Sequence, residues 1–467
     1  MASFGVASFR KMPIWANVSL VVMGCALLAL YRIGLRAHGA KDIFWIIKLA
    51  LVQSIIYLVA AYLVVRTRPA RSTVILIVVF AVLFRLAILF APPYLSDDIY
   101  RYVWDGRVQA ASINPYRYVP SDPALAHLRD TAAYPKINRR DIAPTIYPPA
   151  AQMIYFVATR VSTNITWMKA VMVGFEALTF CALILLLSSF KIPVQRMLLY
   201  AWHPLVVWEF AGSGHVDAAM IAFIAVALFA RRRNWQTVTG IALAGATLIK
   251  FFPVVLLAAL YKRWDWKMPV AFVVTVVIAY LPYLSVGMKV LGYLPGYARE
   301  EGINSGSRFF LLNLVRRLVG ETYPSSKAFI IFALLVLFVV ALWTLWSYEG
   351  NDGYVRKAFT LALLFTILLS PHFAWYFAWL VPFLALLPSA PILLLTVAPF
   401  MLYVSWLDDS ARSSFAVNSY IFLPFVLIGA ITILQRRAAR RKDLRASKSV
   451  GQTAEQKAAP ASLNNAM

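Results

Sequence analysis

The chain has 467 residues, 61% of them hydrophobic and 14% charged, with a formal net charge of +25. That balance excludes a soluble protein of this size. Apolar runs such as Val74–Leu83 and Phe329–Leu342 lack the period-two alternation of a lipid-facing barrel strand, and only helices satisfy their own backbone in lipid. The expected fold class is therefore all-α, a polytopic membrane protein.

At the start, Arg10 and Lys11 precede an apolar run from Ile14 with no small-residue cleavage site behind it, which reads as a first span and not a secretory leader. Spans are expected at roughly 14–31, 43–65, 72–93, 167–189, 197–212, 216–230, 268–286, 327–347, 358–371, 374–388, 390–407 and 417–435, about twelve in all, each matched to about 30 Å of hydrocarbon. Cys25 and Cys181 fall within spans and are expected to pack as small apolar residues, with no disulfide.

The basic residues stand mainly between spans, where they set orientation, and no nucleic-acid-binding module accompanies them. Arg10/Lys11, Arg66/Arg68/Arg71, Lys191/Arg196, Arg231–Arg233, Arg356/Lys357 and Arg436–Lys442 are assigned to the cytoplasm. One segment, 238–260, is long enough to cross yet has basic groups on both flanks. A full crossing would turn the arginine-rich tail outward, so a broken hairpin that enters and returns, hinged near Lys250–Pro253, is preferred. The transmembrane domain then covers 1–435, and 436–467 forms a basic cytoplasmic tail that reads as disordered. The long loops 94–166 and 287–326 both fall outside, and the arginines of the first, including Arg101, Arg139 and Arg140, suit an anionic ligand.

The most informative string is Ser96-Asp97-Asp98-Ile99-Tyr100-Arg101-Tyr102-Val103-Trp104-Asp105-Gly106-Arg107, where the third span leaves the membrane. Ser96 is a plausible N-cap, and acidic residues suit a first helical turn. On such a helix Asp97, Arg101, Trp104 and Asp105 share one face, and Tyr100 and Val103 meet the interface. Two carboxylates are thereby held at the depth of a lipid phosphate. Moving a sugar from a polyprenyl phosphate needs a carboxylate base for the acceptor hydroxyl and cations for the leaving phosphate. The bland alternative is a helix cap paired with Arg101, worth under about 1 kcal/mol if exposed.

With Ile113-Asn114-Pro115-Tyr116 and Ile146-Tyr147-Pro148-Pro149 after it, this acidic string resembles the first outer loop of C-type (GT-C) glycosyltransferases, and within them the bacterial polyprenyl-phosphate-mannose-dependent mannosyltransferase group. The specific matches lie in 94–155 and 211–217. The resemblance implies a GT-C-like fold, a polyprenyl-phosphate sugar donor with mannose as first choice, and either Asp97 or Asp98 as catalytic base. It departs from the pattern in placing three spans before this loop.

Elsewhere, Gly212-Ser213-Gly214-His215-Val216-Asp217 joins two spans, and the resemblance sets it near the donor, with Asp217 orienting His215. Lys250 at the hairpin tip, His372 in an outer aromatic turn, and Arg299 and Arg308 in a Gly-containing loop with the character of a lid are further substrate-binding candidates. Arg85, in mid-span, has Glu176 and Glu209 as possible partners, or else faces a phosphate. No metal and no cofactor is expected, although an acidic pair leaves room for a divalent ion. Expected partners are the lipid-linked sugar, a glycan, lipid or protein acceptor, and membrane lipids. The location is a bacterial-type cytoplasmic membrane with the site facing outward. A transporter or flippase, or a ligase of lipid-linked sugars, is the alternative.

Overall fold

The computed structural model describes residues 14–36, 42–67, 70–320, 324–347, 350, 352–406 and 411–458. Arg10, Lys11, Arg68 and the last residues of the tail therefore lie outside the described residues. The described secondary structure is helical from end to end: α1 Ile14–Gly34, α2 Ile43–Arg66, α3 Arg71–Leu89, α4 Asp98–Ala110, α5 Pro149–Val161, α6 Ile165–Ser189, α7 Asp217–Arg232, α8 Gln236–Thr247, α9 Lys267–Tyr280, α10 Leu294–Glu300, α11 Phe310–Val319, α12 Ser326–Trp346, α13 Tyr354–Leu369, α14 Ala374–Leu386, α15 Ala390–Val404 and α16 Ala411–Ala458. Shorter 3-10 turns connect some of them.

Seven of the expected spans are helices long and apolar enough to cross a bilayer. The other five are shorter or interrupted. They lie in the interior, where α7 and α14 are buried along most of their length, so neighbouring protein and not lipid meets their ends. The expected single span at 197–212 is a correction. Pro204 removes a backbone donor, the helix breaks at Trp202–His203, and it resumes as a π-helical turn over Val207–Gly212. Buried side chains bond to the carbonyls of this segment and its neighbours: Tyr57 donates to Leu199 O at 2.7 Å, and the Trp202 indole to Ile77 O at 3.0 Å.

Arg85 pairs with Glu176 at 2.7 Å, not with Glu209, and also donates to the carbonyls of Ala81 and Ala201. Its charge is thus matched and its donors used, which makes it a buried structural bridge. Cys25 and Cys181 are exposed on the lipid-facing surface and do not pack in the core, because their helices turn those positions outward. The tail also departs from expectation, since α16 continues through Ala458. A segment without apolar periodicity can still be helical when, as here, it is rich in Ala, Arg, Lys and Gln, which are strong helix formers.

The hairpin is where the architecture acquires its cavity. α8 ends at Thr247, the chain turns through 248–251, and a 3-10 turn with a short helix brings it back to Leu260. Its two ends meet: Arg231 donates to Leu260 O at 2.9 Å and Lys262 to the Asn234 amide oxygen at 2.9 Å. Its tip reaches the opposite end of α7, where Leu248 O accepts from the N–H groups of Ala150 and Ala151 at 3.0 and 3.3 Å. Close packing of α8 against α9 needs Gly240, since a Cβ there would stand 2.2 Å from Met268 O. We expect cysteines placed at Asn234 and Lys262, with Cys25 and Cys181 replaced by Ser, to react with an impermeant maleimide from the same side of sealed vesicles; reaction from opposite sides would mean that 238–260 crosses.

Candidate functional site

The turn out of α3 delivers Ser96, Asp97 and Asp98 to the start of α4. Asp97, not Ser96, occupies the N-cap position, while the Ser96 hydroxyl accepts the Asp98 N–H at 3.2 Å. α4 is buried on nearly every face, including Tyr100 and Val103, which were expected at the membrane interface. The surrounding loop 94–166 wraps the helix, so its amphipathic pattern reports protein packing. Asp98 is held from that loop, its Oδ1 accepting from the Asn138 amide at 2.8 Å. The Asp97 side chain is the more open of the two, and its carboxylate forms no hydrogen bond or ion pair with the described residues, although Asp98 and Lys136 act on it electrostatically.

Both carboxylates border a cavity of about 770 Å³. The same cavity is lined by three cations, Arg139, Lys250 and Arg308, and by aromatic residues that include Phe252, Trp375 and Tyr376. Each cation is already paired: Arg139 with Glu300, Lys250 with Asp217 at 2.8 Å and Arg308 with Glu301 at 3.1 Å. Lys250 also lies over the Tyr376 ring, 4.1 Å from its centre, and the Tyr376 hydroxyl is 2.7 Å from that of Tyr297 in the 287–326 loop.

Behind this wall runs the glycine-rich turn. Gly214 has φ +77°, and a Cβ there would approach the Ile99 side chain of α4 to 2.4 Å, so the turn nests directly under the acidic corner. His215 stacks on Trp375 with ring centres 4.0 Å apart. Its Nδ1 lies 3.8 Å from Asp98 Oδ2 and its Nε2 3.4 Å from Glu209 Oε2. Asp217 pairs with Lys250 and not with His215, whose Nε2 lies instead beside Glu209.

Burial and the charge of neighbouring Asp98 raise the proton affinity of Asp97, with Lys136 opposing. Burial, reinforced by Lys250, holds His215 neutral by lowering its pKa well below the usual value. Burial likewise raises Glu301, against the pull of Arg308.

Three candidates stand apart from the cavity. Arg101 is buried and donates to the carbonyls of Ala143 and Pro144 at 2.7 and 3.1 Å, so it ties the loop to α4. Arg299 is exposed and points away, because α10 turns Glu300 and Ala298 inward instead. His372 lies beside the cavity residues Pro371 and Phe373, and burial with nearby Arg308 lowers its pKa to about 4. Asn138 carried no distinguishing signal, being one polar residue in a long loop, whereas Glu209 stood out only as a possible partner of Arg85, and its place beside His215 depends on the π turn.

The cavity, lined by two carboxylates and three cations within an all-helical membrane protein, is the candidate active site. Residues 17–265, more than half of the chain, match the family described as alpha-(1->6)-mannopyranosyltransferase, N-terminal domain, and the chain belongs to that family. It is thus a membrane glycosyltransferase of a mannosyltransferase family, and the matched region contains the acidic corner, the glycine-rich turn and the hairpin tip. No curated protein and no solved structure matches it.

Because both partners of the Lys250–Asp217 pair are buried, Asp217→Leu should leave a stranded ammonium and destabilise the protein by about 3–5 kcal/mol. Adding Lys250→Met should recover much of that loss. Thermal melting in detergent checks it; a double variant no more stable than the single one would show that the pair does not hold the tip.

Proposed function

We propose that the protein transfers a mannosyl group from a polyprenyl-phosphate carrier to a hydroxyl of a glycan, lipid or protein acceptor at the outer face of the membrane, with inversion at the anomeric carbon and Asp97 as the base. The observation that carries this reading is the Asp97 carboxylate, without an ion-pair or hydrogen-bond partner among the described residues, on a cavity that Arg139, Lys250 and Arg308 also line.

In the step proposed, Asp97 takes the proton of the acceptor hydroxyl as its oxygen bonds to C1 of the sugar. The C1–O bond to phosphate breaks on the opposite face, and its electron pair leaves with the carrier phosphate. The cations then meet the charge that gathers on that phosphate. Their carboxylate partners keep them folded into the site while it is empty and yield to the stronger anion.

Two features distinguish Asp97 from Asp98. Asp98 receives the Asn138 amide and stands by His215, interactions that favour a fixed anion. Asp97 is free, and its raised proton affinity suits a base. The outward orientation rests on the arginines at the other end of the spans, Arg66, Arg71 and Arg231–Arg233 among them. Residues Phe251, Phe252, Phe365 and Leu369 of the cavity wall suit an isoprenoid chain, which supports a lipid carrier.

Purified protein supplied with radiolabelled polyprenyl-phosphate mannose and an oligomannoside should form a longer glycan. Asp97→Asn should lower turnover by about 10²–10⁴-fold. The base works deprotonated, so the rate climbs as pH rises through the Asp97 pKa, and burial together with Asp98 sets that limb above the ordinary carboxylate range. Removing the neighbouring charge with Asp98→Asn should move the limb to lower pH while retaining part of the rate. Full activity in Asp97→Asn would overturn the base assignment, and transfer from a nucleotide sugar alone would overturn the carrier.

A further inference from the structure

Beneath the acidic corner, four side chains stand in series. The Tyr403 hydroxyl donates to Glu209 Oε1 at 2.6 Å, Glu209 Oε2 lies 3.4 Å from His215 Nε2, His215 Nδ1 lies 3.8 Å from Asp98 Oδ2, and Asp98 Oδ1 accepts from Asn138 at 2.8 Å. Glu209 and His215 are almost wholly buried. Glu209 Oε2 and both ring nitrogens of His215 are buried and form no hydrogen bond in this geometry; besides Tyr403, the Ser213 side chain also interacts with Glu209, and the titratable groups nearest the imidazole are Glu209 and Asp98.

Donor and acceptor bookkeeping gives the series a direction. A neutral imidazole has one N–H and one lone pair. Asp98, ionised and facing the cavity, accepts only, which assigns the N–H to Nδ1. Nε2 is then an acceptor, and Glu209 can meet it only as a carboxylic acid. The reverse tautomer would aim a lone pair at an anion and leave Glu209 a buried carboxylate, and among the described residues no Lys or Arg lies within ion-pair distance of it. An imidazolium between two carboxylates would stand in a fully buried position whose other charged neighbours, Lys250 and Asp217, already neutralise each other.

We propose that Glu209 is a positioning residue: as a protonated acid it donates to His215 Nε2, fixes the Nδ1–H tautomer, and so keeps a donor trained on Asp98. The chain Tyr403 to Glu209 to His215 to Asp98 is then a run of neutral donors ending on one anion. The two separations at His215, 3.4 and 3.8 Å, are longer than formed hydrogen bonds, so the series sets the aim of each donor and not a finished network. Its effect on chemistry is indirect. A donor on Asp98 fixes the position of a carboxylate whose charge, after burial, raises the proton affinity of Asp97. No bond in the transferred sugar is touched by Glu209. This inference rests on the reading of Asp97 as base only for its kinetic consequence, because the tautomer itself is a property of the folded protein.

The test uses the full chain in detergent micelles, labelled with ¹⁵N-histidine, with His215→Asn identifying the His215 signals. The native protein should show a neutral ring protonated at Nδ1. Glu209→Gln, whose amide can donate to Nε2 and accept from Tyr403, should preserve that spectrum and a turnover close to native. Glu209→Leu should release the tautomer and lower turnover about tenfold with little change in KM. A native His215 that is protonated at Nε2 or at both nitrogens overturns the proposal without recourse to any variant, and so does Glu209→Gln being as impaired as Glu209→Leu. Should the spectra be as expected while no mannosyl transfer occurs, the hydrogen-bond chain stands and the catalytic reading fails.

Discussion

The ion pair between Lys250 and Asp217 is the contact on which the site depends. A hairpin that enters the protein and turns back exposes backbone groups at its tip, and such a turn is stable in a membrane only where protein supplies partners. Here the ammonium at the tip meets a carboxylate at the first turn of α7 at 2.8 Å, and Leu248 O is met by the N–H groups that open α5. The tip therefore joins the glycine-rich turn to the loop that carries the acidic corner. With those three elements pinned together, the space they leave is the cavity.

Pairing also explains how so many charges coexist in a low dielectric. Arg139, Lys250 and Arg308 each hold a carboxylate, and two of those carboxylates, Glu300 and Glu301, are adjacent on the 287–326 loop. An unpaired guanidinium at this depth would cost several kcal/mol. The loop's glutamates thus offset the charge of Arg139 and Arg308 at the edge of the cavity.

Much of the fold could be read from the sequence because lipid imposes a length on apolar runs. The hinge near Lys250–Pro253 was legible for a related reason: the basic flanks of 238–260 demanded a return, and Pro253 marked where the backbone could yield. The interruption at Trp202–Pro204 was not, since an apolar segment buried in protein has the same composition whether it is straight or broken. Asp97, Asp98, Lys250 and Arg308 were found as ionisable residues stranded at membrane depth or in long loops. Arg101 failed as a ligand because helical periodicity assumes one wet face, and α4 has almost none.

The same limit hid the partnership of Glu209 with His215. Six residues apart, they would face different directions on a regular helix, and only the π turn over Val207–Gly212 followed by the positive φ of Gly214 folds one back upon the other. π turns and left-handed glycines leave weak marks in composition, yet here they bring two buried titratable groups together and aim one at the catalytic loop. A regular helix through 207–217 would have kept its hydrogen bonds and lost that convergence. The irregular backbone is thus the feature through which an apolar segment reaches the chemistry of the cavity.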